Sequence, residues 1–112
     1  MESIYLDVTP RGVNPIVYTS QGDAERTIGV YLIENGLPYE LSGSETLTLN
    51  IKTSEGEYLE QELTNNGGNY IEISLDSDVT IKAGANYCKI IIETEDIKIG
   101  TSAFWVATEK TP

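Results

Sequence analysis

Residues 45–63 read ETLTLNIKTSEGEYLEQEL. Leu47, Leu49 and Ile51 alternate with polar residues, and a period of two sends successive side chains to opposite faces of a strand. Ser54-Glu55-Gly56 then supplies a turn in which Gly56 can take positive φ, and residues 57–63 return as a second strand. The segment predicts a β-hairpin with one apolar and one wet face.

The same alternation recurs on both sides of it. Ile4, Leu6 and Val8 predict a first strand over 2–8. Pro10 and Pro15 bracket a loop, PRGVNP, that cannot pair regularly, and a short strand follows over 16–20. QGDAER (21–26) is a polar connection. Ile28, Val30 and Leu32 predict a strand over 27–34. NGLPYELSGS (35–44) reads as a crossover between two sheets rather than a tight hairpin. Asn65-Asn66-Gly67-Gly68 is a strong breaker. Ile71, Ile73 and Leu75 mark a strand over 70–75. After a loop through 76–85, Cys88, Ile90 and Ile92 mark one over 86–94, and a last strand runs over 98–108. No amphipathic helix of ten residues is present. The pattern predicts an all-β fold, an antiparallel β-sandwich of about eight strands, immunoglobulin-like, as one domain over 1–108. Residues 109–112 read as the start of a linker to a further C-terminal region.

The chain has 112 residues, enough to bury a core without disulfides or metals. Its formal net charge is -11. Such a surface repels phosphate backbones, anionic headgroups and anionic cell-wall polymers, which argues against nucleic-acid and membrane partners. The single cysteine, Cys88, falls in an apolar strand and excludes an intrachain disulfide. The N-terminal MESIYLDV has neither the basic nor the apolar region of a signal peptide, and the cytosol is the expected compartment of synthesis.

Histidine is absent, which removes the commonest general base and the commonest transition-metal ligand. Cys88 has no histidine to activate it and reads as core. Carboxylates are scattered over turns and wet strand faces, with no pair set apart as a glycosidase would need. Asp76 and Asp78, and the cluster Glu93, Glu95 and Asp96, lack a full calcium-loop pattern and read as turns in which Asp caps its own backbone. Gly22-Asp23 leads into a strand, not the helix that a phosphate-cradling loop opens. No catalytic residue, cofactor or metal site is expected.

Tyr87 lies where a tyrosine corner would fold its hydroxyl onto the preceding loop, although the Cys-Trp-Cys hallmark of a true immunoglobulin domain is missing. In Phe104-Trp105-Val106, Phe104 and Val106 are assigned to the core and Trp105 to the outer face. Tyr31, Tyr39, Tyr58 and Trp105 are the candidate protein-contact anchors.

Several segments taken together resemble the N-terminal domain of the baseplate upper proteins of siphophages of Gram-positive bacteria. They are IYLDV (4–8), QGDAERTIGVYLIENGLPYELSG (21–43), LTLNIKTSEGEYLEQ (47–61), VTIKAGANYCKIIIE (79–93) and IGTSAFWV (99–106). The order is that of the family: a Gly-Asp step, an I-x-V-x-L strand, N-G-x-P, a K-x-x-x-G hairpin from Lys52 to Gly56, a T-x-x-A-G-x-Y stretch (Thr80 to Tyr87, with one extra residue), and a T-x-x-F strand from Thr101 to Phe104. The family often carries a Pro-Asp-Gly turn where this chain has Ser54-Glu55-Gly56. The resemblance implies a non-enzymatic structural protein of the virion, assembled in the host cytoplasm. Its N-terminal domain would attach to the tail core, and its later part would oligomerise and carry receptor-binding proteins. The expected partners are therefore other tail and baseplate proteins, with homo-oligomerisation in the full-length protein and no cofactor. The alternatives are an immunoglobulin-like surface adhesion module, which predicts a signal peptide, and a carbohydrate-binding module, which predicts a planar row of exposed aromatics on one sheet.

Overall fold

A computed structural model describes residues 2–9, 14–20, 26–75 and 84–109. Ten strands form: β1 (Glu2–Asp7), β2 (Ile16–Ser20), β3 (Arg26–Glu34), β4 (Leu37–Pro38), β5 (Thr46–Lys52), β6 (Tyr58–Leu63), β7 (Tyr70–Leu75), β8 (Gly84–Glu93), β9 (Lys98–Gly100) and β10 (Phe104–Glu109). They make two sheets. In the smaller, β3 carries β1 on one side and β7, then β4, on the other. In the larger, the order is β2-β10-β8-β5-β6, with β9 added along β8 beyond β10.

The alternation in sequence becomes the core. Ile4, Leu6, Ile28, Val30, Leu32, Ile71, Ile73 and Leu75 bury the inner face of the smaller sheet. Leu47, Leu49, Ile51, Cys88, Ile90, Ile92, Phe104 and Val106 do so for the larger. Phe104 and Val106 are fully buried, as their positions in the strand predict, and Trp105 faces outward. Gln61 on β6 donates from Nε2 to the Ser74 carbonyl on β7 at 2.7 Å, joining an edge of one sheet to an edge of the other.

Three expectations need correction. The sandwich is not wholly antiparallel: β1 pairs parallel to β3, and β2 pairs parallel to β10. A parallel pair needs a crossover, and here β2, lying in the opposite sheet, is the crossover between β1 and β3. Residues 35–44 contain both a hairpin and a crossover. Asn35 (φ 53°) and Gly36 (φ 80°) turn the chain in two residues, so that Leu37 and Pro38 pair back on β3 before the chain passes to the other sheet. Positive φ at both central residues is the type I′ geometry that Asn-Gly favours. The last strand is interrupted. Thr101, Ser102 and Ala103 oppose only Lys89 and Ile90, a bulge that separates β9 from β10. At the bulge Thr101 Oγ1 accepts from the Ile90 amide at 3.2 Å, and the Ser102 amide reaches the Asp7 carbonyl of the other sheet at 2.8 Å.

The predicted hairpin at 45–63 forms as read, closed by Thr53–Glu57 pairing with Gly56 at φ 90°. The polar connection at 21–25, the loop at 10–13, the Asp76–Asp78 segment and residues 110–112 lie outside the described residues, as does the loop backbone against which a tyrosine corner would close.

Candidate protein-contact surface

Because inner and outer positions alternate, the register that builds the core also places residues on the two outer faces. On the smaller sheet Tyr5 pairs with Tyr31 and Tyr31 with Tyr70, so three tyrosines from three strands fall in one row. The Tyr5 and Tyr31 rings stack with centroids 5.3 Å apart, and Tyr31 and Tyr70 tilt against each other at 4.9 Å. Such pairs contribute about 0.5–1.5 kcal/mol each beyond area burial. Gly29, one row along, makes room for this. A Cβ there would lie 2.7 Å from the Tyr70 hydroxyl oxygen, so the ring rests on the glycine backbone. Tyr5 remains 62% exposed at the end of the row. Glu72 and Asp7 flank it in the neighbouring rows.

A second row crosses the larger sheet. Tyr58, Lys52, Tyr87, Trp105 and Ile16 are register partners in that order, on β6, β5, β8, β10 and β2. Lys52 Nζ sits 5.5 Å from the Tyr58 ring centroid, within cation–π range. Tyr87 and Trp105 meet edge to face at 5.0 Å. Beside this row lies a depression of about 170 Å³ whose lining includes Asn50, Tyr58, Glu60, Tyr87 and Lys89. A shallower one of about 440 Å³ continues over Ser54, Ala85 and Trp105. The Asn50 Oδ1 atom is buried at this face with no hydrogen-bond partner among the described residues. Tyr58 at 76%, Tyr18 at 59% and Ile16 at 49% exposure leave the far ends open.

The four sequence-predicted anchors therefore do not form one patch. Tyr58 and Trp105 share the row on the larger sheet. Tyr31 is the half-buried centre of the tyrosine row on the smaller one. Tyr39, whose amide donates to the Leu32 carbonyl at 3.0 Å, packs against the core. Tyr5, Tyr70 and Tyr87 were not among the predicted anchors. Residues 5, 31 and 70 become neighbours only through long-range pairing, which local spacing does not reveal.

Cys88 is fully buried, and burial pushes its thiol up to about 12, so almost no thiolate forms near neutral pH. Among the described residues no three His, Cys, Asp or Glu side chains gather as a metal ion would need. At the turn 94–97 it is Thr94, not an aspartate, whose side-chain oxygen accepts from the Ile97 amide, at 3.1 Å.

Comparison with known proteins places this arrangement. No family profile matches the chain, and no curated protein does. Among solved structures, the N-terminal domain of phage TP901-1 ORF48 superposes with a TM-score of 0.72, covering 98% of this chain and 100% of that one at 16% identity. This chain has the fold of that phage domain. The superposition runs end to end, so both sheets belong to the shared architecture.

Proposed function

We propose that the chain is a non-enzymatic, protein-binding module of a phage tail baseplate, which anchors its parent protein to the tail core. The observation that carries this reading is the end-to-end likeness to an N-terminal domain of a phage protein. The motif order from Ile4 to Val106, which resembles baseplate upper proteins, points the same way. The two outer aromatic rows suit such a role. Rigid aromatic rings supply much contact area at low entropic cost, and a few of them carry most of the energy of an interface. Tyr58 and Trp105 are the anchors best placed for docking, with Tyr31 supporting the second row and Tyr39 contributing least.

Co-expression with each of the other tail proteins from the same locus tests the proposal. The chain is expected to co-purify with one tail-core protein. Joint Ala substitution of Tyr31, Tyr39, Tyr58 and Trp105 is expected to abolish that complex while circular dichroism still reports a β-sheet fold. Co-purification with none of them would overturn the docking role. An intact complex with the quadruple variant would overturn the anchor assignment.

A further inference from the structure

The chain contains two Asn-Gly steps, Asn35-Gly36 and Asn66-Gly67. Glycine has no Cβ to hinder an approach to its own nitrogen. That nitrogen can attack the side-chain carbonyl of the asparagine before it, so each step is chemically able to deamidate. Both asparagines are exposed, yet the fold restrains the two glycines differently. The Gly67 amide donates to Asn65 Oδ1 at 2.9 Å. Asn65 is itself fixed, since its Nδ2 donates to the Glu45 carbonyl at 3.0 Å and to the Glu45 carboxylate at 3.1 Å. Gly68, next in the chain, exchanges both backbone bonds with Leu41, at 2.8 and 3.2 Å. The Gly36 amide has no such acceptor among the described residues, and a Cβ on Gly36 would meet nothing within 4 Å. Its turn is followed by a strand of two residues, Leu37 and Pro38, both exposed. Pro38 has no N–H to donate, so beyond the Glu34–Leu37 pair the next tie is the Tyr39 amide to the Leu32 carbonyl, at 3.0 Å.

We propose that Asn35 is a site of spontaneous deamidation in the folded chain and that the fold protects Asn66 from the same reaction. The Gly36 nitrogen loses its proton and attacks Asn35 Cγ. A C–N bond forms, the side-chain nitrogen leaves as ammonia, and a five-membered succinimide results. Water then opens that ring at one of its two carbonyls. One opening leaves aspartate at 35. The other leaves isoaspartate, in which the main chain runs through Cβ and Cγ. Water is the only other reactant consumed. Positive φ at both turn residues, 53° and 80°, defines the closed turn, and attack follows when that turn opens. Opening at 35 loosens the end of one short hairpin. Opening at 66 must undo contacts to Asn65, Glu45 and Leu41. Local openings of this kind differ widely in free energy across one structure. Isoaspartate adds a methylene to the main chain and a carboxylate beside Glu34. The two-residue type I′ connection is then lost, and Leu37 and Pro38 come away from β3. None of this depends on the proposed phage role.

Incubation of the purified chain at mildly alkaline pH, followed by peptide mapping with mass spectrometry, tests it. In the native protein, product at 35 should form about tenfold faster than at 66, the leverage of one hydrogen bond retained at the attacking nitrogen. In urea the two rates should become comparable, since both segments are then open, and this comparison needs no variant. Asn65→Ala should raise the native rate at 66 by about tenfold and leave that at 35 unchanged, with circular dichroism confirming the fold. The isoaspartate fraction, identified by labelling with an isoaspartyl methyltransferase, should exchange the Leu37 and Tyr39 amide hydrogens faster than the unmodified chain. Equal native rates at the two sites, or product at 35 only in urea, would overturn the proposal. So would a rate at 66 indifferent to Asn65→Ala in a folded variant, or unchanged exchange at Leu37 and Tyr39.

Discussion

Removing the charge of Glu45 gives a direct measurement of what holds the 35–44 crossover in place. The Glu45 carboxylate accepts from the Ser42 amide (3.0 and 3.1 Å), the Ser42 hydroxyl (3.0 Å), the Gly43 amide (3.1 Å) and Asn65 Nδ2 (3.1 Å). It thereby ties the loop entering β5 to the loop leaving β6. The Ser42 amide is the main cause that lowers this carboxyl from 4.5 to about 2. Partial burial opposes the shift, while Asn65 and the Ser42 hydroxyl reinforce it. A carboxyl held that low gives an upper bound of about 3 kcal/mol, and screening at this surface site reduces it to about 1–1.5 kcal/mol. The folded-state value lies below the unfolded one, so the stabilisation is fully present above about pH 4.5 and disappears as pH falls through about 2. Glu45→Gln keeps the shape and an acceptor oxygen but loses the charge. Urea unfolding of both proteins between pH 7 and pH 2 isolates this group, because the remaining acids cancel in the difference. The gap between wild type and variant should be about 1–1.5 kcal/mol at pH 7 and close to zero near pH 2. A gap that stays constant across this range would refute the argument.

Other outcomes follow from close contacts elsewhere. Gly84→Ala, at φ 103° with its Cβ 2.9 Å from that of Ser54, should cost about 1–3 kcal/mol in urea unfolding, the strain of a side chain in left-handed backbone. Asn86→Ala should cost about 2–3 kcal/mol by the same assay. The fully buried side chain holds the Ser54 amide at 3.2 Å and the Val106 carbonyl at 3.1 Å, and its loss removes both hydrogen bonds and opens space in the interior. Cys88 should resist a thiol reagent at pH 8 in the native protein and react at once in denaturant; rapid native labelling would contradict its buried, protonated state.

The sequence is most legible where structure is local. Leu47, Leu49 and Ile51 point inward because period-two alternation permits only one burial choice, and Gly56 turns where its positive φ is needed. The core assignment of Phe104 and Val106 rests on the same alternation. Illegible features depend on partners distant in the chain. Nothing near Tyr87 in the sequence announces its ring partner, which in the folded sheet is Trp105, 18 positions later. The parallel β1–β3 pair has no turn to announce it, since its connection runs through a strand of the opposite sheet. The bulge at 101–103 is invisible in a run of small residues, because what creates it is the mismatch in register against β8.

The pairing of β2 with β10 has a consequence for biosynthesis. Residues 16–20 acquire their neighbour only when residues 104–109 have left the ribosome, which at about 5–20 residues per second is some seconds later. Throughout that interval the early strand is without its ladder partner and carries Ile16 and Tyr18. The β2–β10 edge of the larger sheet is therefore completed only near the end of translation of this segment, and anything that shields the waiting edge in the meantime protects the yield of folded protein.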